Sequence, residues 1–361
     1  HRTYSGYSSI SYPALFRIFI WKIYRCLNSV FIEHFNDSHR TICMDINQLI
    51  LDASSRIKPF IRKTTFSYSE VFSKLIDGEV YFKLENQQFT GSFKARGALN
   101  KILTLNESGK SISSVISAST GNHGAAVAYA ARQAKIECNI YVPEGSSKAK
   151  LSNMKNYGAT INIFGSDCVE AEAKAREVSE KNQVPYVSPY NDFHIVAGQG
   201  TMGTEIKSQA NELDAIIISI GGGGLMAGTA SFLRSVWPNI KVIGCSPSNS
   251  AIMIHSMEEG KILELESLPT LSDGTAGGVE KESITFPLCC KLVDETILIS
   301  EKEIKDAMVF YIENEHQLLE GAAGTAVAAL IKMKDKLKGK KIGVVICGGN
   351  IAIDTLKQVI S

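Results

Sequence analysis

The sequence predicts an α/β protein whose parallel sheets carry helices on both faces. From residue 44 onward, short apolar runs alternate with helical patterns, and this alternation is typical of βαβ units. Some of these runs are rich in β-branched residues, such as residues 215–220, which is typical of strands buried on both faces. Glycines or small polar residues follow several runs, at the position where open parallel sheets carry their functional loops.

The individual elements follow from this pattern in chain order. Strands are predicted at residues 79–85, 114–118, 138–142, 161–164, 215–220 and 344–346. Helices are predicted at residues 125–133, 149–157, 169–181 and 225–237, where apolar residues recur with helical spacing. Gly158 directly follows the second of these helices, as is typical of a helix C-terminus.

Composition restricts the classes of function. A chain of 361 residues can bury one large core or two modest ones. A formal net charge of +1, with 21% charged residues, gives no sign of a nucleic-acid-binding surface. The 8 cysteines show no C-x-x-C spacing, so we expect a reduced, cytoplasmic protein without a cysteine-bound metal.

Residues 1–43 are predicted to be an N-terminal extension outside the fold. Arg17, Lys22 and Arg25 interrupt the apolar stretch over residues 14–32, and central charges are costly in a membrane span, so we predict no transmembrane helix. Several basic and few acidic residues are also compatible with a transit peptide. We favour the alternative that the native protein begins at Met44.

Lys94 lies in the run Gly-Ser-Phe-Lys-Ala-Arg-Gly-Ala, residues 91–98. Lysine forms a Schiff base with an aldehyde cofactor, and a desolvated pocket lowers its pKa enough to do so. Pyridoxal 5'-phosphate (PLP) is the usual partner of such a lysine. Most lysines are solvated surface charges, so the prediction depends on three further segments.

The second segment, Ser-Thr-Gly-Asn-His-Gly, occupies residues 119–124 between a predicted strand and a predicted helix. Backbone N–H groups at a helix N-terminus favour an anion such as a substrate carboxylate. An ordinary helix N-cap is an equally good interpretation of this segment alone, because Ser, Thr and Asn all cap helices well.

The third segment is the run of four glycines over residues 221–224, between a β-branched strand and a helix. Consecutive glycines allow backbone amides to surround a phosphate without Cβ clashes. The glycine spacing differs from the dinucleotide-binding fingerprint. A flexible linker is the alternative, but linkers rarely join a buried strand to an amphipathic helix.

The fourth segment, Val-Val-Ile-Cys-Gly-Gly-Asn, occupies residues 344–350. An apolar strand again ends in a small polar residue and glycines, as expected at the carboxyl end of a parallel strand. Taken alone, Cys347 could equally be a small buried hydrophobic residue, the commonest role of a free cysteine.

These four segments, in this order and spacing, resemble the serine/threonine dehydratase and serine racemase family of PLP enzymes, which has fold type II (tryptophan synthase beta-like). The resemblance runs from about residue 44 to the C-terminus. It implies two open, twisted parallel-sheet domains with PLP in the cleft between them. The large domain would comprise residues 44–112 and 189–361, and a small mobile domain residues 113–188. The resemblance also implies a homodimer.

The resemblance implies a role for each matching residue. Lys94 would hold PLP as a Schiff base beside the ring of Phe93, and Cys347 would face the pyridine nitrogen. The cofactor's 3-hydroxyl would bind Asn122, and its phosphate Gly221, Gly222, Gly223, Gly224 and the amide of Leu225. The substrate carboxylate would bind Ser119, Thr120, Gly121, Asn122 and His123. Glu320 matches a family glutamate near the cofactor.

Two departures from the family pattern are informative. Serine racemases carry a second acid/base serine at position 120; Thr120 keeps the hydroxyl and is a predicted catalytic residue with Lys94, but its methyl group restricts χ1 and disfavours racemisation. Racemases also bind a divalent cation where Ser246 and Ile252 stand here. Ile252 offers no side-chain oxygen, so we predict no metal site.

The resemblance therefore implies a threonine/serine ammonia-lyase that acts on a small amino-acid substrate. The alternatives are a serine racemase and a dehydratase of a related substrate such as 3-hydroxyaspartate. A PLP-binding carrier without catalysis is disfavoured, because a carrier does not need the carboxylate-binding segment at residues 119–123. We expect no nucleic-acid or membrane partner.

Overall fold

The computed structural model describes residues 31–35, 41–107, 109 and 112–361. The strands are β1 (Phe31–Phe35), β2 (Thr41–Asp45), β3 (Phe66–Ser69), β4 (Glu79–Leu84), β5 (Ser114–Ala118), β6 (Glu137–Val142), β7 (Thr160–Ile163), β8 (Ala215–Ser219), β9 (Lys241–Pro247), β10 (Glu295–Ile299) and β11 (Lys341–Ile346). The helices of the first half are α1 (Ile46–Ile57), α2 (Glu70–Leu75), α3 (Lys94–Glu107), α4 (Asn122–Ala134), α5 (Lys148–Asn156) and α6 (Cys168–Asn182). Those of the second half are α7 (Phe193–Gln209), α8 (Gly224–Val236), α9 (Ile252–Glu259), α10 (Thr285–Leu292), α11 (Glu301–Glu315), α12 (Gly321–Lys332) and α13 (Ile353–Ile360).

A six-stranded sheet forms the larger part of the fold, in the order β10-β9-β8-β11-β4-β3. Its neighbouring strands are parallel except for β3, which pairs with β4 in the antiparallel direction. Central residues such as Ile216, Ile217 and Val344 are fully buried, as expected for strands covered by helices on both faces. The parallel α/β prediction is confirmed, with one antiparallel edge strand that the sequence pattern did not indicate.

A second, three-stranded parallel sheet has the order β5-β6-β7. Helices α4, α5 and α6 pack against it, and we call this assembly the small-sheet unit. Its buried core includes Val115 and Ile140, together with Leu99 and Ile102 of α3. The helix that begins at Lys94 is therefore also a packing partner of the small-sheet unit.

The predicted element boundaries are close to those of the structure, with one difference at the candidate site. The Ala-rich helix α4 begins at Asn122 rather than at residue 125, so Asn122 and His123 belong to its first turn. β1 lies within the predicted N-terminal extension and pairs in the antiparallel direction with β2, which crosses the end of that extension. The rest of that prediction lies outside the described residues.

Candidate active site

Three adjacent strands of the large sheet bring the predicted segments together. Lys94 follows β4, Cys347 directly follows β11, and the glycine run follows β8. Because the carboxyl ends of parallel strands meet at one edge of a sheet, segments more than a hundred residues apart surround one cavity. The cavity is lined by Phe93, Lys94, Asn122, Tyr190, Ser219, Gly221, Gly222, Gly223, Gly224, Leu225, Met226, Gly274, Thr275, Glu320, Ala322 and Cys347.

The loop before Lys94 is fastened to the loop after β11. The N–H of Phe93 donates to the carbonyl of Cys347 at 3.0 Å, and the N–H of Gly349 donates to the carbonyl of Gly91 at 2.9 Å. Gly91 has a φ of +72°, a left-handed conformation that favours glycine. These bonds fix the direction from which the lysine side chain enters the cavity.

Lys94 is the first residue of α3, and its Nζ donates to the carbonyl of Pro189 at 2.9 Å. Burial lowers the pKa of Lys94 to about 8, against a smaller opposing effect of Cys347 and Glu320. Desolvation acts in this direction because it disfavours the charged ammonium. Near neutral pH a useful fraction of this amine is therefore unprotonated, as attack on an aldehyde requires.

A buried ionic cluster holds the first turn of α3. Arg96 is fully buried, and its guanidinium donates to Glu85 at 2.7 and 2.8 Å and to Glu205 at 2.8 and 2.9 Å. Lys83 pairs with Glu205 at 2.7 Å. These contacts join α3 to the end of β4 and to α7, so the backbone of Lys94 starts from a rigid base.

The glycine run forms a concave turn at the N-terminus of α8. Gly223 has a φ of +83°, and a Cβ atom added at Gly222 would lie 2.5 Å from Cγ of Tyr190. Only glycine fits this turn. Thr285 supports it by donating its hydroxyl to the carbonyl of Gly222 at 2.6 Å. The turn presents backbone amides at a helix N-terminus, which is a favourable site for a phosphate.

Glu320 is a buried carboxyl group at the cavity wall. Both of its oxygens accept from Nδ2 of Asn122 at 2.9 Å, and Nδ2 of Asn350 donates to Oδ1 of Asn122 at 2.7 Å. Burial raises the pKa of Glu320 to about 7, although its bond with Asn122 acts in the opposite direction. Glu320 is thus partly protonated near neutral pH.

Cys347 is buried, with its Sγ 3.9 Å from Oε1 of Glu320. Burial, and then the neighbouring Glu320, raise the pKa of the Cys347 thiol well above its usual value. The group is consequently a neutral thiol at physiological pH.

The segment over residues 119–123 enters α4 beside the cavity. The N–H of Gly121 donates to Oγ of Ser119 at 3.2 Å. Burial raises the pKa of the nearby Cys168 thiol, against a smaller opposing effect of Thr120. The ring of His123 contacts the carbonyl of Val187 at 2.9 Å, and burial lowers its pKa to about 3. Of this segment, only Asn122 lines the cavity, and His123 is a neutral, buried side chain.

The structure adds cavity residues to the predicted set. Tyr190, Gly274 and Thr275 line the cavity, and Asn350 orients Asn122 from behind. Tyr190, Gly274 and Thr275 lie outside the four segments on which the sequence prediction rested. Their contacts with the site depend on long-range packing that no local pattern indicates.

Neither a metal cluster nor a membrane span appears in the part of the chain that the structure describes. No three His, Cys, Asp or Glu residues come together there as metal ligands. At the position where racemases were expected to bind a cation, Ser246 donates its hydroxyl to the carbonyl of Ile220 at 2.7 Å. No described helix is long and apolar enough to cross a bilayer.

The residues present fit PLP. A buried amine with a lowered pKa suits an aldehyde. A cradle of glycines that a single Cβ would fill, at the start of α8, suits a phosphate. The neutral thiol of Cys347 and the side-chain amide of Asn122 line the same cavity. Such weakly polar groups suit the pyridine ring of PLP and its polar substituents.

Comparisons with known proteins agree with this fit. Residues 57–348 match the model of a family described as pyridoxal-phosphate dependent enzyme. The chain is 39% identical over 313 residues to an L-threonine ammonia-lyase of Thermotoga maritima, covering 86% of this chain and 77% of that protein. It is 36% identical over 316 residues to a serine racemase of Dictyostelium discoideum, covering 86% of this chain and 97% of that protein. The solved structure of maize serine racemase matches with a TM-score of 0.81 at 31% identity, covering 87% of this chain and 96% of that one.

Proposed function

The chain belongs to the pyridoxal-phosphate dependent enzyme family, and we propose that it is a threonine/serine ammonia-lyase. The reaction converts L-threonine to 2-oxobutanoate and ammonia, or L-serine to pyruvate and ammonia. The buried Lys94 amine, beside a glycine cradle and a neutral thiol, is the observation that carries the proposal. The 39% identity to an L-threonine ammonia-lyase supports it.

Lys94 is the proposed attachment point of the cofactor and the base that removes the α-proton of the substrate. Bound PLP supplies a conjugated ring that stabilises negative charge at the substrate Cα. The carbonyl of Pro189 holds the Lys94 amine in place. The pKa of about 8 keeps part of this amine unprotonated near neutral pH, as a general base requires.

The start of α4 is the proposed site for the substrate carboxylate. Ser119, Thr120, Gly121, Asn122 and His123 place backbone amides at this helix N-terminus, where negative charge is favoured. The methyl group of Thr120 restricts its χ1. This restriction supports a lyase over a racemase, in which a serine at the equivalent position serves as the second acid/base.

Cys347 is proposed to favour elimination over transamination. A neutral thiol does not protonate the pyridine nitrogen of PLP. The unprotonated ring would stabilise negative charge at the substrate Cα less strongly, which disfavours the long-lived charge that transamination needs. We expect Cys347→Asp to increase the ratio of transamination to elimination, measured as pyridoxamine phosphate formed per 2-oxo acid released. An unchanged ratio would contradict this role.

The lyase is tested by incubating the purified, PLP-loaded protein with L-threonine and with L-serine. We expect both 2-oxo acid and ammonia, with neither formed by Lys94→Ala. Relative rates then rank the two substrates. A PLP-loaded protein that releases neither product would refute the assignment.

Serine racemase is the second candidate, because relatives at 36% and 31% identity carry that name. Chiral analysis of serine recovered from the same incubation separates the two. Formation of D-serine without 2-oxo acid would replace the lyase by the racemase.

We further propose that the small-sheet unit is the mobile domain over residues 113–188 and that the enzyme is a cytoplasmic homodimer. Motion of such a unit would close the cavity over a substrate. Six cysteines are free thiols, namely Cys138, Cys168, Cys245, Cys289, Cys290 and Cys347, which is in keeping with a reducing compartment. Light scattering of the purified protein tests the dimer.

A further inference from the structure

Tyr190 lines the same cavity as Lys94 and the glycine cradle, and the function proposed above gives it no role. The carbonyl of the preceding residue, Pro189, accepts the hydrogen bond from Lys94 at 2.9 Å. The Tyr190 ring itself lines the cavity. This short segment therefore touches both groups that are expected to hold the cofactor.

The Tyr190 ring packs directly on the backbone of the glycine cradle. A Cβ added at Gly222 would lie 2.5 Å from its Cγ, and one added at Gly224 would lie 3.1 Å from its Cβ. Such close packing leaves the cradle little freedom to move away from its concave shape. Thr285 holds the same turn by a hydrogen bond to the Gly222 carbonyl. The turn is therefore fixed by two contacts, the Thr285 hydroxyl and the Tyr190 ring.

The Tyr190 hydroxyl connects the cradle to the small-sheet unit. It accepts the backbone N–H of Glu280 at 2.9 Å. The Glu280 carboxylate accepts from Asn191 at 2.9 Å and pairs with Arg176 at 3.2 Å. Arg176 lies on α6, with its guanidinium 4.4 Å from the centre of the Tyr186 ring. A continuous chain of contacts thus runs from α6 to the glycine cradle.

We propose that Tyr190 is a positioning residue that holds the glycine cradle in its phosphate-binding shape and ties it, through Glu280, to Arg176 of the small-sheet unit. The inference rests on the proposed function, because the phosphate concerned is that of PLP. Its consequence is that affinity for the phosphate end of the cofactor depends on a contact outside the cavity.

The ring and the hydroxyl are separated by two variants. Tyr190→Phe keeps the ring and leaves the Glu280 N–H without its acceptor, and Tyr190→Leu also removes the packing on Gly222. A matched control is Tyr81→Phe, since the Tyr81 hydroxyl donates to Glu79 at 2.8 Å on the large sheet. Removing one neutral hydrogen bond changes an equilibrium by about fivefold.

The first measurement is the dissociation constant of PLP from each protein, by equilibrium dialysis, with the ³¹P resonance of the bound phosphate. We expect an increase of about fivefold for Tyr190→Phe and more than about tenfold for Tyr190→Leu, with the resonance displaced toward that of free PLP. Tyr81→Phe should match the wild type. Circular dichroism of the PLP-free proteins establishes folding, and if Tyr190→Leu does not fold, Tyr190→Phe decides.

The connection to the small-sheet unit is tested by adding Arg176→Gln. Because both substitutions act through Glu280, the combined effect on the PLP dissociation constant should be smaller than the product of the single effects. Wild-type affinity and an unchanged ³¹P resonance in Tyr190→Phe would overturn the positioning role. A combined effect on the PLP dissociation constant that equals the product of the two single effects would overturn the connection. A wild-type protein that does not bind PLP would instead refute the proposed function itself.

Discussion

The Lys94 ammonium should destabilise the PLP-free protein, and replacing it with Met should therefore stabilise that form. Burial lowers the pKa of Lys94 from 10.5 to about 8, and each pKa unit is worth 1.36 kcal/mol. The protonated amine thus costs the folded state about 3 kcal/mol. Below pH 8 both folded and unfolded chains are protonated, and the whole cost is present. Between pH 8 and 10.5 the unfolded chain binds more protons, so wild-type stability rises with pH until the cost disappears.

Urea denaturation of the PLP-free wild type and Lys94→Met, from pH 7 to pH 10, measures this cost directly. We expect Lys94→Met to raise the free energy of unfolding by about 3 kcal/mol at pH 7, with a gain that shrinks steadily toward pH 10. Lys63→Met, at a solvent-exposed lysine, is the control and should change it by less than about 0.5 kcal/mol. A gain of equal size at both ends of the pH range, or a loss at pH 7, would refute the argument.

Three further predictions concern the walls of the site. Burial raises the pKa of Glu320 from 4.5 to about 7, so the charged carboxylate destabilises the folded PLP-free protein at pH values above 7. Glu320→Gln should therefore raise the melting temperature there, and the gain should fade as the pH falls to 4.5. A gain that does not change with pH would contradict this. Arg96→Met leaves the buried Glu85 carboxylate without its cation and should lower the free energy of unfolding in urea by about 3–5 kcal/mol. Gly222→Ala places a methyl group against an aromatic ring and should weaken PLP binding by more than about tenfold in equilibrium dialysis, whereas Gly278→Ala, which meets no atom within 4 Å, should not.

Local sequence pattern was sufficient for the elements that carry the site. The β-branched run before Gly221 predicted β8, and the glycines that follow it predicted a turn that only glycine allows, because both are properties of adjacent residues. The helix that follows Thr120 was predicted to begin three residues too late. Asn122 and His123 are weak helix formers by propensity, and tertiary contacts hold them in the first turn of α4.

Long-range partners could not be predicted in the same way. Lys83 and Glu85 look like solvated charges at the end of a strand, yet both are fully buried. Their burial depends on Arg96 and on Glu205, which lies more than a hundred residues further along the chain. No local pattern indicates such a pairing, and the same limitation hid the contact between Tyr190 and Gly222.

The electrostatics of the cavity indicate how a phosphate would be held there. Among the described residues that line the cavity, Lys94 is the single lysine or arginine, and its lowered pKa makes it a poor permanent cation. Cys347 is neutral, and Glu320 is partly so. The countercharge for a phosphate must therefore come from the backbone amides and the dipole at the start of α8, which do not titrate. Such an arrangement would leave the Lys94 amine free to exchange partners in the proposed reaction, because the phosphate would be held without the charge of Lys94.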